Sequence, residues 1–237
     1  MKLSAPIYRL KREARQLARR EDLPLHAALD RIARTQGFAA WSLLAARHAA
    51  GSPAEKLLAR LAAGDLLLVG ARPGQGKTAF ALELAAAAAR NGGHGLFFTL
   101  DYTPADVLEQ LRSLGIDQAA LGERFGFDCS NSISAGYITE RLAQAPAGTV
   151  VAIDYLQVLD QRRSNPPLAE QVATLKRFAR EHGVVIVCIS QIDRSYDPAV
   201  KLLPDLDDIR LPNPLDLTLF NKACFLHAGK LQFQSAA

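Results

Sequence analysis

At 237 residues, 49% hydrophobic and 22% charged, the chain has the composition of a folded globular protein, either one large domain or an ordinary one with a small appendage, and neither a disordered nor a fibrous one. Its net charge of +4 is unevenly spread: residues 1–60 hold 12 Lys/Arg against 5 Asp/Glu, net +7, and the remainder holds 16 against 19, net −3. The three cysteines, Cys129, Cys188 and Cys224, lie far apart with no CxxC or Cys/His ligand spacing, which argues for free thiols in a reducing compartment over disulfides or a zinc module.

In chain order, residues 1–22 carry charges every few positions and lack the apolar stretch of a secretory signal. No later apolar run approaches the roughly 20 residues of a membrane span. A cytoplasmic chain with no membrane partner is expected. Ile7, Leu10, Ala14, Leu17 and Ala18 recur at spacings of three and four, predicting a helix with one apolar face and an Arg/Lys face opposite. Asp22, before Leu23 and Pro24, is the expected start signal of a second helix through Leu25, Ala28, Leu29 and Ile32, which Gly37 ends. A third helix over about 39–48 carries Trp41 beside Leu43 and Leu44. A helix-turn-helix-like unit and a generic helical cap or oligomerisation arm both give this pattern. Its charge suits contact with a polyanion, and equally a solvated helix surface. The expected organisation is a basic helical domain over 1–50, a linker (Gly51, Ser52, Pro53) and lead-in helix over 51–63, and a larger domain over 64–237.

From Asp65 the period changes to short apolar runs alternating with helical stretches, which predicts an α/β domain with a mainly parallel sheet covered by helices. The runs are 66–70, 95–100, 149–154 and 184–190, and the helices 77–90, 135–145 and 168–182. The tail segments 223–227 and 230–233, joined by Ala228-Gly229, predict an antiparallel hairpin at the sheet edge.

The stretch Leu66-Leu-Leu-Val-Gly-Ala-Arg-Pro-Gly-Gln-Gly-Lys-Thr78 runs an apolar strand directly into a glycine-bearing loop and a helix opening on Lys-Thr, which is the P-loop context. Arg72, Pro73, Gly74, Gln75, Gly76, Lys77 and Thr78 are the candidate cradle for ATP. Gly74 and Gly76 let backbone N–H groups turn inward on the phosphates, Lys77 would lie along the β- and γ-phosphates, and the Thr78 hydroxyl would coordinate Mg²⁺. Ala71 stands where the strict motif opens on glycine. Asp154, ending the apolar strand 149–154, is the expected carboxylate partner of the magnesium. Asp101, at the end of the strand 95–100, is the candidate base that positions the attacking water; the other reading is a helix cap near Pro104, a role Thr103 would fill equally well. Gln191, delivered by the strand 184–190, is a candidate sensor of the γ-phosphate, followed on its loop by Arg194; an ordinary polar strand end is the alternative.

These residues resemble the RecA-like ATPase domain of bacterial replicative helicases of DnaB type. The opening motif Gly64–Thr78, including Ala-Arg-Pro and hence Ala71, is similar to that family's; so are Ile153-Asp-Tyr-Leu-Gln157 and Ser190-Gln-Ile-Asp-Arg194, in the family's order, over roughly residues 60–215. The resemblance implies a RecA-like P-loop core with a C-terminal β-hairpin, preceded by a small helical segment. It places Asp101 where those helicases carry a glutamate base. It implies central-channel DNA contacts for Arg162 and Arg163 in the loop 160–167, Lys201 in the loop 195–204, and Arg210 in Asp207-Asp-Ile-Arg210. The family's Lys-x-Arg finger has no counterpart in the tail, where Lys222 and Lys230 are the substitutes, and the first 50 residues do not resemble the helicase collar.

The expected function is an ATP-hydrolysing, DnaB-like motor on DNA, single-stranded by preference, assembling as a homo-oligomer such as a hexamer. The alternative is a nucleotide-dependent switch or assembly factor that binds DNA or a protein partner without unwinding. A small-molecule kinase is the third reading, for which no Arg-rich lid is found between the sheet elements.

Overall fold

Strands buried on both faces need helices above and below, and they come out as near-continuous apolar runs. In this computed structural model six strands run parallel and a seventh closes the edge antiparallel. The structure describes residues 4–5, 7–49, 52–160, 162, 164–202, 204–211, 213–227 and 230–235. They fall into two units, Met1–Ser52 and Pro53–Ala237. Among the described residues no helix is long and apolar enough to cross a membrane.

The first unit holds α1 (Ile7–Arg20), α2 (Leu25–Thr35) and α3 (Trp41–Ala49). Leu10 and Ala14 of α1, Ala28 and Ala33 of α2 and Leu44 of α3 are buried, with Ile32, Phe38 and Trp41 packed around the centre. The expected start signal at Asp22 is not the cap. α2 begins after Pro24 without a side-chain cap, and Asp22 takes a left-handed φ of 50° in the preceding turn, two residues too early to reach the first free amides. α3 is capped from a distance instead: the Asp30 carboxylate accepts from the Trp41 amide at 2.7 Å.

The second unit runs α4 (Pro53–Leu58), β1 (Leu66–Ala71), α5 (Lys77–Arg90), β2 (Gly95–Thr99), α6 (Pro104–Ser113), α7 (Gln118–Leu121), β3 (Phe125–Asp128), α8 (Ala135–Arg141), β4 (Val150–Asp154), α9 (Leu168–His182), β5 (Val185–Gln191), β6 (Lys222–His227) and β7 (Lys230–Ser235). The sheet order is β3-β2-β4-β5-β1-β6-β7. The lead-in helix is shorter than expected, stopping at Leu58, and its Ala54 and Leu57 join the same core as α5. The hairpin forms as β6 and β7; its turn, Ala228-Gly229, lies outside the described residues. β3 and α7 carried no expectation from the sequence.

The alanine run of α5 has a packing reason. Ala85 to Ala89 are all buried, and the helix lies so close to the sheet that a Cβ on Gly95 would fall 1.9 Å from the Ala85 carbonyl oxygen. Small residues on both sides allow that approach, which fixes where α5 begins over the strand tips.

At the opposite edge of the sheet, Asp65 is buried against the start of β6. Its carboxylate accepts from Lys222 Nζ at 2.5 Å, Asn221 Nδ2 at 2.6 Å and the Ala62 amide at 2.7 Å. Burial alone would raise this carboxyl; Lys222, the Ala62 amide and Asn221 outweigh it and hold it below the usual carboxylate value.

Candidate nucleotide site

Parallel strands aim all their C-terminal tips at one edge, where open α/β sheets bind ligands. The β1 tip leads into the loop 72–76, in which Gly74 and Gly76 have φ of 78° and 77°, with open space where a side chain would stand. Any other residue would strain there. Gly76 immediately precedes Lys77, the first residue of α5, whose first-turn amides have no partner within the helix and whose dipole favours an anion. Gln75 closes the loop through its amide, which donates to the Arg72 carbonyl at 3.2 Å, and Pro73 is exposed.

Lys77, Thr78, Asp101 and Asp154 come together at this edge. Burial pushes the Lys77 ammonium below the ordinary lysine value, while the carboxylates of Asp154 and Asp101 pull the other way. Asp154, 3% exposed at the end of β4, is raised above the ordinary carboxylate value by burial; the Thr78 hydroxyl and Lys77 oppose that rise and Asp101 adds to it. One ammonium, one hydroxyl and one deep carboxylate grouped together, beside an open loop of left-handed glycines, fit a magnesium-bound triphosphate, since Mg²⁺ takes few protein oxygens and keeps waters and phosphate oxygens for the rest. Asp101 is exposed just past β2, and its amide donates to Thr99 Oγ1 at 3.2 Å. It does not cap α6: Thr103 does, in a capping box with Asp106.

The sheet registers tie these tips together. Thr99 pairs with Asp154 and Ala71 with Gln191, so the P-loop, the deep carboxylate and Gln191 issue from adjacent strands. Gln191 is half-buried, and its carbonyl accepts from the Arg210 amide at 2.8 Å. Gln157, just after β4, donates from Nε2 to the Arg210 carbonyl at 2.9 Å and to Ser190 Oγ at 3.4 Å. The segment 208–210 is thereby strapped across the tips of β4 and β5, a connection that no spacing in the sequence announces.

The nucleic-acid candidates are not equivalent. Arg162, Arg194 and Arg210 are exposed, and Arg163 lies outside the described residues. Lys201 is bound within its own loop, 2.6 Å from Asp205 and 2.7 Å from Asp208, while Val200 and Leu202 beside it are 87% and 81% exposed. Tyr196, which the sequence did not single out, is buried under this loop. Its hydroxyl donates to the Lys201 carbonyl at 2.9 Å, and the Arg72 guanidinium lies 5.9 Å from its ring centroid. Lys222 does not serve as a substitute finger: it is spent on Asp65 and the Arg60 carbonyl, and it pairs with Leu67 at the end of β1 remote from the P-loop.

Known proteins share this arrangement. The sequence profile of the KaiC ATPase family matches residues 54–202, more than half of the chain. Similar relatives include the replicative DNA helicase DnaB of Treponema pallidum (strain Nichols), 29% identical over 177 residues, covering 62% of this chain and 40% of the helicase. DnaB of Pasteurella multocida (strain Pm70) is 27% identical over 207 residues, covering 70% and 44%. The chain thus spans about two fifths of the length of these relatives. Among solved structures, an ATPase domain determined on its own superposes with a TM-score of 0.58 at 21% identity, covering 78% of this chain and 81% of that one. A DnaB-like replicative helicase, solved in a study that includes its interactions with primase, gives 0.56 at 24%, covering 69% and 47%. The chain belongs to the KaiC ATPase family, and its second unit has the RecA-like fold of the DnaB-type helicase ATPase domains.

Proposed function

We propose that the chain binds and hydrolyses ATP at the edge formed by Lys77, Thr78, Asp101 and Asp154, and that it couples this cycle to movement on, or remodelling of, single-stranded DNA as a homo-oligomer of hexameric type in the cytoplasm. The observation that carries the reading is the electrostatic contact among those four side chains beside the open glycine loop.

Each residue has a task that follows from its position. The loop amides and the start of α5 seat the phosphates, and Lys77 neutralises charge that builds on the γ-phosphate as the bond to the β-phosphate bridge breaks. Magnesium, held through Thr78 and Asp154, supplies further charge neutralisation on the phosphate oxygens when bound. Asp101 orients the attacking water and takes its proton as the water oxygen bonds to phosphorus. Gln191 senses the γ-phosphate by its side chain, while its main chain carries the strap 208–210. Arg162, Arg194 and Arg210 supply exposed cations for DNA phosphates.

ATP turnover measured with and without single-stranded DNA tests this. The proposal expects turnover that DNA stimulates and an ATP-bound mass of a defined hexamer. ATP-dependent assembly without stimulated turnover would support the switch reading instead.

A further inference from the structure

In the first unit, helix formation has sorted α1 into two faces. Leu10 and Ala14 are fully buried in the three-helix core, whereas Lys11, Arg12, Arg15 and Arg19 are all exposed. Glu13 is the only acidic residue in α1. Nearby Arg20 and Arg31 are both taken up by Glu21, at 3.1 and 2.5 Å. Among the described residues, the four α1 cations enter no ion pair. Residues 1–52 hold 10 Lys/Arg against 4 Asp/Glu, net +6, so this charge is a property of the unit itself.

We propose that the outer face of α1, through Lys11, Arg12, Arg15 and Arg19, binds the phosphate backbone of duplex DNA, giving the chain an anchor that works without nucleotide and is separate from the ATP-dependent DNA contacts of the second unit. Positions 11, 15 and 19 form one row, and 12, 15 and 19 its neighbour, so the four cations share a stripe about 12 Å long on a rigid rod. A fixed row of this length matches several successive phosphates. An anionic membrane is a poorer occupant. A helix that lies in a lipid surface must offer an apolar face to the acyl chains, and the apolar residues of α1 named above are already spent on α2 and α3. The contact is to phosphates, so it carries no base preference.

The test uses the full chain without nucleotide and a labelled duplex of random sequence, titrated at several salt concentrations. Counterion release predicts that Lys11→Gln/Arg12→Gln/Arg15→Gln/Arg19→Gln flattens the slope of log affinity against log salt by about 3 to 4, roughly 0.9 per lost contact. At low salt it should weaken binding by at least ~10-fold. Glutamine keeps helix propensity, and an unchanged melting temperature checks the fold. A second measurement needs no variant: acetylation of Lys11 in the wild-type chain should slow at least several-fold when duplex is added. An unchanged slope in the folded variant, or Lys11 acetylated equally fast with and without duplex, would overturn the proposal. So would a wild-type chain that binds phosphatidylserine vesicles and no duplex. Loss of DNA-stimulated turnover would not affect it, since no nucleotide is present.

Discussion

The amide of Arg210 donates to the carbonyl of Gln191 at 2.8 Å, so the last residue of β5 and a cation that faces solvent share one peptide hydrogen bond. Ile192 and Ile209 extend the contact as an antiparallel bridge, and the Asp193 amide adds a bond to the Asp208 carbonyl at 2.7 Å. A change at the γ-phosphate that shifts Gln191 therefore shifts Arg210 with it, without any side chain between them.

Gln157 braces the same strap from β4, and its loss should separate turnover from coupling. Gln157→Leu removes the bond to the Arg210 carbonyl and should cost about 1 kcal/mol in urea unfolding. The fold-stimulation of ATPase by single-stranded DNA should fall more than the turnover without DNA. Equal loss of both would place Gln157 in the fold alone.

The side chain at 101 sets the reach of the base. Asp101→Asn should lower kcat by about 10² or more, with little effect on nucleotide affinity. Asp101→Glu, which extends the carboxylate by one methylene, should keep turnover at or above the wild-type rate. Steady-state kinetics of both variants check this, and an Asn variant with full kcat would remove Asp101 from the chemistry.

Lys201 and Arg162 make opposite predictions for DNA binding. Lys201 is held by Asp205 and Asp208, so Lys201→Gln should leave the salt dependence of single-stranded DNA binding nearly unchanged, while it loosens the loop 195–204. Arg162 is exposed, and Arg162→Gln should reduce the slope by roughly 0.7, the single-strand value for one phosphate. Binding titrations at four salt concentrations distinguish the two.

The Asp65 cluster gives a pH dependence whose sign is fixed. Its folded carboxyl lies below 3.8, so its contribution to stability is complete above that value and is lost as pH falls through the lower, folded one. Lys222→Met removes an ammonium that is about one-third exposed and should cost about 2 kcal/mol at pH 7. Urea unfolding at pH 7 and near pH 3 should show the difference between wild type and variant shrinking at the acidic end. Asp154 runs the other way. Its folded value is raised, so it favours the nucleotide-free fold at low pH and loses that advantage as pH rises. Affinity for the magnesium nucleotide, which needs the ionised carboxylate, should grow over the same rise.

The residues that bind phosphate were legible because their chemistry is local. A strand, two glycines and Lys-Thr within 13 residues leave few other structures, and α5 and α9 matched the expected bounds from period alone. Asp154 was legible for a similar reason, as the polar end of a buried run. What stayed hidden depends on contacts between distant segments. Lys201 reads as a free cation until Asp205 and Asp208 fold back on it, and Lys222 as a spare finger until Asp65 claims it across 157 positions. Phe125–Asp128 is too short and too glycine-marked to declare itself a strand before β2 pairs with it. Tyr196 sits in a polar loop with no periodic pattern, and only the fold brings Arg72 over its ring.

The most direct test of the central claim is a calorimetric titration of the full chain with a non-hydrolysable ATP analogue, with and without magnesium, repeated on Lys77→Ala. The account predicts one site per chain, weaker binding without magnesium, and affinity at least ~10²-fold lower in a Lys77→Ala chain that melts like the wild type. Equal affinity in the folded variant, or no heat of binding in the wild type, would contradict it.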